Sequence, residues 1–236
     1  MLTFAGETFD LDEQETTFYG WVDPYGKGRK PGVTWDLFVC GQAKQTDVRT
    51  ILPRGFDRAF DFPILDRKPT LNFSEMEIPT SDWKSIEGFS TEDCSSFSFY
   101  FIDDFDHLAM EACSLSFLKR EGAVFTVDFS GHGGTEECGV DFWFQGLLDV
   151  PLRGIGMYFG PGEKDPVGAG RGLLKRHLPG CSFEAYDLKI VPRNARQNMT
   201  RTKVVFQQIS RARVKYRSEP QRGGIWLRPP IPLLRS

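Results

Sequence analysis

MEACSLSFLKREGAVFTVDFSG, residues 110–131, is the stretch that decides the fold. Within it Cys113, Leu115 and Phe117 recur at every second position, and so do Phe125, Val127 and Phe129. That is the period of a strand, whose successive side chains point to opposite faces of a sheet. Glu121 and Gly122 separate the two runs, and alternating runs that meet at a turn containing Gly read as a β-hairpin.

Outward from this hairpin the same period recurs. TTFYGWV (16–22) and VTWDLFVCG (33–41) read as a second strand pair, joined by the long basic loop DPYGKGRKPG (23–32). LNFSEMEI (71–78), SSFSFYFID (95–103), VDFWFQGLLDV (140–150), GIGMYFG (154–160) and SFEAYDLKIV (182–191) add further strands. The stretch 42–70 carries Pro53, Pro63 and Pro69 and reads as irregular. Helix is confined to a turn within 79–88, capped by Ser81 or Asp82, and to LLKRHL (173–178), after a Gly-rich loop over 160–172. TKVVFQQISRARVKYR (202–217) fits strand or helix, and its β-branched residues favour strand. The 21 phenylalanines suit pleated, half-buried surfaces.

The fold expected is mainly β, an antiparallel sandwich or flattened barrel with one or two short helices. It is expected to be a single β-rich domain over 1–225, followed by an extended tail over 226–236 that is rich in Pro. An echo between WDLFVCGQ (35–42) and FTVDFSGH (125–132) offers a minority alternative, two related β-halves at about 1–90 and 95–190.

The net charge of −3 conceals an asymmetry. Residues 1–150 hold 12 Lys/Arg and 27 Asp/Glu, whereas residues 151–236 hold 17 and 5. Attraction between these parts inside one fold accounts for the split without any partner. The five cysteines are scattered, odd in number and form no CxxC pair, which reads as reduced thiols in a cytoplasmic protein. The N-terminus lacks the pattern of a signal peptide, and no apolar run reaches the roughly 18 residues of a membrane span. No membrane association is expected.

Chemistry-bearing residues gather in three places. SGHGGTEECG (130–139) holds His132, Glu136, Glu137 and Cys138 between two strands, where Gly131, Gly133 and Gly134 suggest a hairpin connection with positive φ. FIDDFDH (101–107) holds Asp103, Asp104, Asp106 and His107 in a polar turn, without the further ligands of a calcium loop. An antiparallel pairing of 110–120 with 123–131 would carry Asp106 and His107 to the same sheet end as His132 and Glu136. The candidate catalytic residues are therefore Asp104, Asp106, His107, His132 and Glu136.

The third place is the basic segment 189–217, where Arg211, Arg213, Lys215 and Arg217 fall on one face of a strand and are candidate anion-binding residues. A solvated edge strand protected by its cations explains them as well. GAGRGLLKRH (168–177) matches neither the Walker pattern nor the dinucleotide fingerprint, so no cofactor is assigned. No metal is assigned, because the ligand spacings of a zinc site are absent.

The function expected is that of a non-catalytic cytoplasmic binding or protein-interaction protein, leaning away from an enzyme, with a protein as the expected kind of partner. Two alternatives stand beside it. One is a hydrolase or metal-dependent enzyme using the loops at 103–107 and 132–137. The other is a nucleic-acid or anion binder working through 189–217.

Overall fold

Alternating apolar residues, many of them aromatic or β-branched, build strands over most of the chain, and the computed structural model is a mainly β protein with one α-helix. It describes residues 1–22, 32–47, 64–102, 108–135, 140–160, 162–181, 183–191 and 201–208. The strands are β1 (Leu2–Phe4), β2 (Glu7–Phe9), β3 (Thr17–Val22), β4 (Val33–Cys40), β5 (Lys44–Asp47), β6 (Ile64–Met76), β7 (Ser90–Thr91), β8 (Phe97–Ile102), β9 (Leu108–Ala109), β10 (Ala112–Glu121), β11 (Val124–Thr135), β12 (Val140–Phe159), β13 (Phe183–Val191) and β14 (Arg201–Gln208). The helix is α1 (Pro166–His177), and a single 3-10 turn spans Trp83–Ile86. Among the described residues no helix is long and apolar enough to cross a membrane.

These strands form one curled, mixed sheet. Its main path runs β7–β10–β11–β12–β3–β4–β6–β8–β9. The β10–β11 hairpin pairs Glu121 with Val124, so its turn is Gly122–Ala123, with Gly122 at φ +63°. A left-handed first residue matches the twist of the two strands it joins, and glycine adopts that conformation at little cost. The curl comes from the chain around residue 110. Leu108 pairs with Phe99 of β8, the Met110 N–H donates to the Phe97 carbonyl, and then the Glu111 N–H donates to the His132 carbonyl of β11. Within four residues one run of chain passes from the β9 end of the sheet order to β10 and β11, near its other end.

The inner face is aromatic. Cys113, Leu115 and Phe117 of β10, Phe125, Val127 and Phe129 of β11, and Phe142, Phe144, Leu148 and Val150 of β12 are all buried. The Phe18 ring lies 5.4 Å from Trp35, 5.0 Å from Phe117 and 5.5 Å from Phe125. Such stacked, tilted and edge-on pairs stabilise beyond their buried area. One contiguous buried cluster draws on residues from both 1–90 and 95–190.

The structure departs from the sequence reading in several elements. The part of 42–70 expected to be irregular contains β5 and the start of β6. Pro69 is accommodated because the register of β6 against β8 shifts between Arg67 and Thr70, while its carbonyl accepts the Gly41 N–H at 2.8 Å. The strands expected at 140–150 and 154–160 are one 20-residue strand, β12. Pro151 and Gly154, which look like breakers, instead flank a register shift between Leu152 and Gly154. There β12 changes partners, from β11 and β1 to β3 and β14. Helix α1 begins at Pro166, inside the expected loop, because Asp165 caps it and burial of Gly170 and Leu174 outweighs the low propensity of its glycines. The turn within 79–88 forms as expected, with Asp82 Oδ1 accepting the Lys84 N–H at 3.0 Å. Of the ambiguous 202–217, the described part is strand and pairs with β12 and β13. The remainder, with the tail over 226–236, lies outside the described residues.

Phe18 is fully buried among three rings. Phe18→Ala is expected to lower the free energy of unfolding by about 3–5 kcal/mol, measured by denaturant titration.

Candidate binding groove

The stretch 130–135, expected to be a loop, continues β11 to Thr135, with His132 opposite both Ala112 and Trp143. Its glycines serve close approach rather than turning. A Cβ on Gly131 would fall within contact of the Ala112 carbonyl oxygen, 2.8 Å from Phe144 Cζ and 2.9 Å from the Cys113 Cα. A Cβ on Gly133 would crowd the Ala109 carbonyl oxygen and lie 2.8 Å from Phe99 Cε1 and 3.1 Å from the Met110 Cα. The crossing chain and two inner rings take the space where side chains would be. The alternation of β11 therefore persists: Ser130 and His132 face outward, while Phe129, Gly131 and Gly133 face inward.

Register sets two rows of outward residues side by side. One runs Ser114–Ser130–Gln145–Thr3 across β10, β11, β12 and β1. The next runs Ala112–His132–Trp143. Together with Gly6, Glu92 and Glu111 they line an open groove of about 750 Å³. The His132 ring stacks on the Trp143 ring at 4.4 Å between centroids and 30° between planes. His132 Nδ1 lies 3.1 Å from Asp141 Oδ1 and 3.9 Å from Glu111 Oε2. A carboxylate oxygen only accepts, so the imidazole donates through Nδ1–H and the neutral ring keeps Nε2 as an acceptor. The Ser114 and Ser130 hydroxyls bond each other at 3.0 Å. Trp143 remains 62% exposed, an unusual degree for the largest side chain.

Of the residues singled out from sequence as catalytic or anion-binding, His132 alone lies within the described residues. Asp103, Asp104, Asp106, His107, Glu136, Glu137 and Cys138 lie outside them, as do Arg211, Arg213, Lys215 and Arg217. The Gly-rich segment 168–177 is part of α1, and its first amides are met from within the chain, since Asp165 Oδ1 accepts the Gly168 N–H at 2.9 Å. Among the described residues no group of three His, Cys, Asp or Glu side chains is placed to hold a metal ion.

Trp143, Asp141, Glu111, Glu92, Ser114 and Gln145 escaped the sequence reading. A usable signal existed in 140–150, where Trp143, Gln145 and Leu147 alternate with the inward Phe142, Phe144 and Leu148. A tryptophan on the outward phase of an otherwise well-patterned strand marks a surface to inspect.

Compared with known proteins, the chain matches no family model, no curated protein and no solved structure.

Two buried thiols, Cys113 in the groove lining and Cys40 at the end of β4, are held in the protonated form. Burial pushes Cys113 up to about 12 and Cys40 up to about 11. At pH 8 their thiolate fractions are then on the order of one in a thousand or less, and the thiolate is the reactive form. In the folded protein at pH 8, iodoacetamide is expected to leave Cys40 and Cys113 unmodified over the time in which a free cysteine reacts fully. Both should react once the chain is denatured, with peptide mass spectrometry as the readout.

Proposed function

We propose that the chain is a non-catalytic binding protein and that the groove around Trp143 receives its partner. The observation that carries this reading is a tryptophan held against His132 in a concave surface with most of its area open to solvent. Aromatic side chains in clefts, surrounded by a few fixed polar groups, are the usual anchors of recognition. The polar row of Thr3, Ser114, Ser130 and Gln145 supplies donors and acceptors beside that anchor. Exposed Met1 and Leu147 extend the apolar surface along the same face.

A nucleophilic reading has less support. Activation of a serine needs a base within hydrogen-bond reach. Here the Ser130 hydroxyl is engaged with Ser114, and the His132 Nδ1 with Asp141. The free thiols of Cys40, Cys94, Cys113 and Cys181 support a reducing compartment such as the cytoplasm.

Two-dimensional amide and indole NMR of the full chain, titrated with a set of small cationic, anionic, apolar and glycan fragments, tests the reading. Saturable shifts are expected to centre on the Trp143 indole and the backbone amides of Thr3, Ser130 and Gln145. Trp143→Ala should abolish those shifts while changing stability by no more than about 0.5 kcal/mol, as for a surface substitution. Shifts confined to another surface, or unchanged in Trp143→Ala, would contradict it.

A further inference from the structure

We infer that the groove takes an arginine side chain presented by a peptide segment of a separate protein partner. This rests on the reading of the groove as a binding site and names what that site selects. Among the described residues the lining includes the carboxylates of Glu92 and Glu111 and no lysine or arginine. Asp141 adds a third carboxylate through its bond to His132. Among the described residues His132 is the only basic side chain within ion-pair distance of Glu111 or Asp141. The cations of β10 lie at its other end, by the hairpin turn, where Lys119 pairs with Glu121 and Arg120 lies close to Glu87. The groove is thus an acidic surface with an aromatic floor, complementary to a cation and repellent to phosphate.

Shape selects among cations. Trp143 offers an extended π surface, of which His132 covers part by stacking. A guanidinium is planar, stacks on such a ring and presents forked donors to a carboxylate such as Glu111. An ammonium can pair with the carboxylate but cannot stack. In its neutral form the imidazole contributes as well, because its Nδ1–H is committed to Asp141 and Nε2 is left to accept from the same guanidinium. The flanking hydroxyls and amide of Ser114, Ser130, Thr3 and Gln145 suit the backbone of a peptide lying along the groove.

The test is an NMR titration of the full chain with three capped tripeptides, Gly-Arg-Gly, Gly-Lys-Gly and Gly-Gln-Gly, reading the Trp143 indole and the backbone amides of Thr3, Ser130 and Gln145, the amides alone serving for Trp143→Ala. The arginine peptide is expected to give a saturable shift, the lysine peptide binding about fivefold or more weaker, and the glutamine peptide none. Glu111→Gln should weaken the arginine peptide about fivefold, and raising the salt concentration should weaken it further. Equal affinity for the arginine and glutamine peptides, with both lost in Trp143→Ala, would overturn the arginine assignment and leave the groove as a binding site. Binding of the arginine peptide that persists in Trp143→Ala would overturn both. No saturable shift with any peptide would overturn the arginine assignment. Binding seen only in a full-length variant carrying Arg211→Gln, Arg213→Gln, Lys215→Gln and Arg217→Gln would show that this chain's own basic segment competes for the groove. That result would overturn the separate partner.

Discussion

Two missing side chains hold this structure in its shape. Gly131 and Gly133 sit on the inward phase of β11, where a Cβ would meet the backbone of residues 109–113 and the rings of Phe99 and Phe144. Their bareness lets the chain that leaves β8 cross onto β11 within a few residues, which brings the β9 end of the sheet order to β10 and β11, near its other end. The same crossing fixes the outward residues that alternate with those glycines. Ser130 and His132 are held on a strand instead of a loop, level with Trp143 and Gln145. Closure of the fold and construction of the groove are therefore one event.

Much of the architecture was legible because period-two burial is a strong physical signal. The 110–131 hairpin, the inward phenylalanines and the Asp82 cap all follow from local chemistry that the tertiary structure does not override. What misled was glycine and proline, whose two uses look alike in a sequence. Gly131 and Gly133 read as turn formers, yet they serve close packing, and 140–150 and 154–160 read as two strands, yet they are one strand that exchanges neighbours between them. The glycines of α1 hid a helix that is held by its cap and its buried leucine. Each of these depends on what lies across space, which spacing along the chain does not encode.

The site was legible only through His132. Its partners come from two other segments: Glu111 at the entry to β10, and Asp141 and Trp143 on β12. Register, set by the hairpin turn at Gly122 and by the crossing at Gly131 and Gly133, is what assembles them. Asp141 stands diagonally across from His132, since His132 pairs with Trp143 and Gly134 with Asp141. A one-residue slip would send every one of these side chains to the core. The groove's acidic, aromatic character is thus a property of the pairing and not of any contiguous motif.

The most direct measurement is the unfolding free energy of Gly133→Ala. In an ordinary strand interior this change stabilises by roughly 0.5–1 kcal/mol, because alanine loses less chain entropy on folding. Here the new methyl group meets backbone that cannot turn aside, at the Ala109 carbonyl and the Met110 Cα. A loss of about 1–3 kcal/mol is expected, as for an overpacked interior, with a displaced Trp143 indole signal reporting the disturbed groove. A variant as stable as the parent or more so, with the indole signal unmoved, would contradict it.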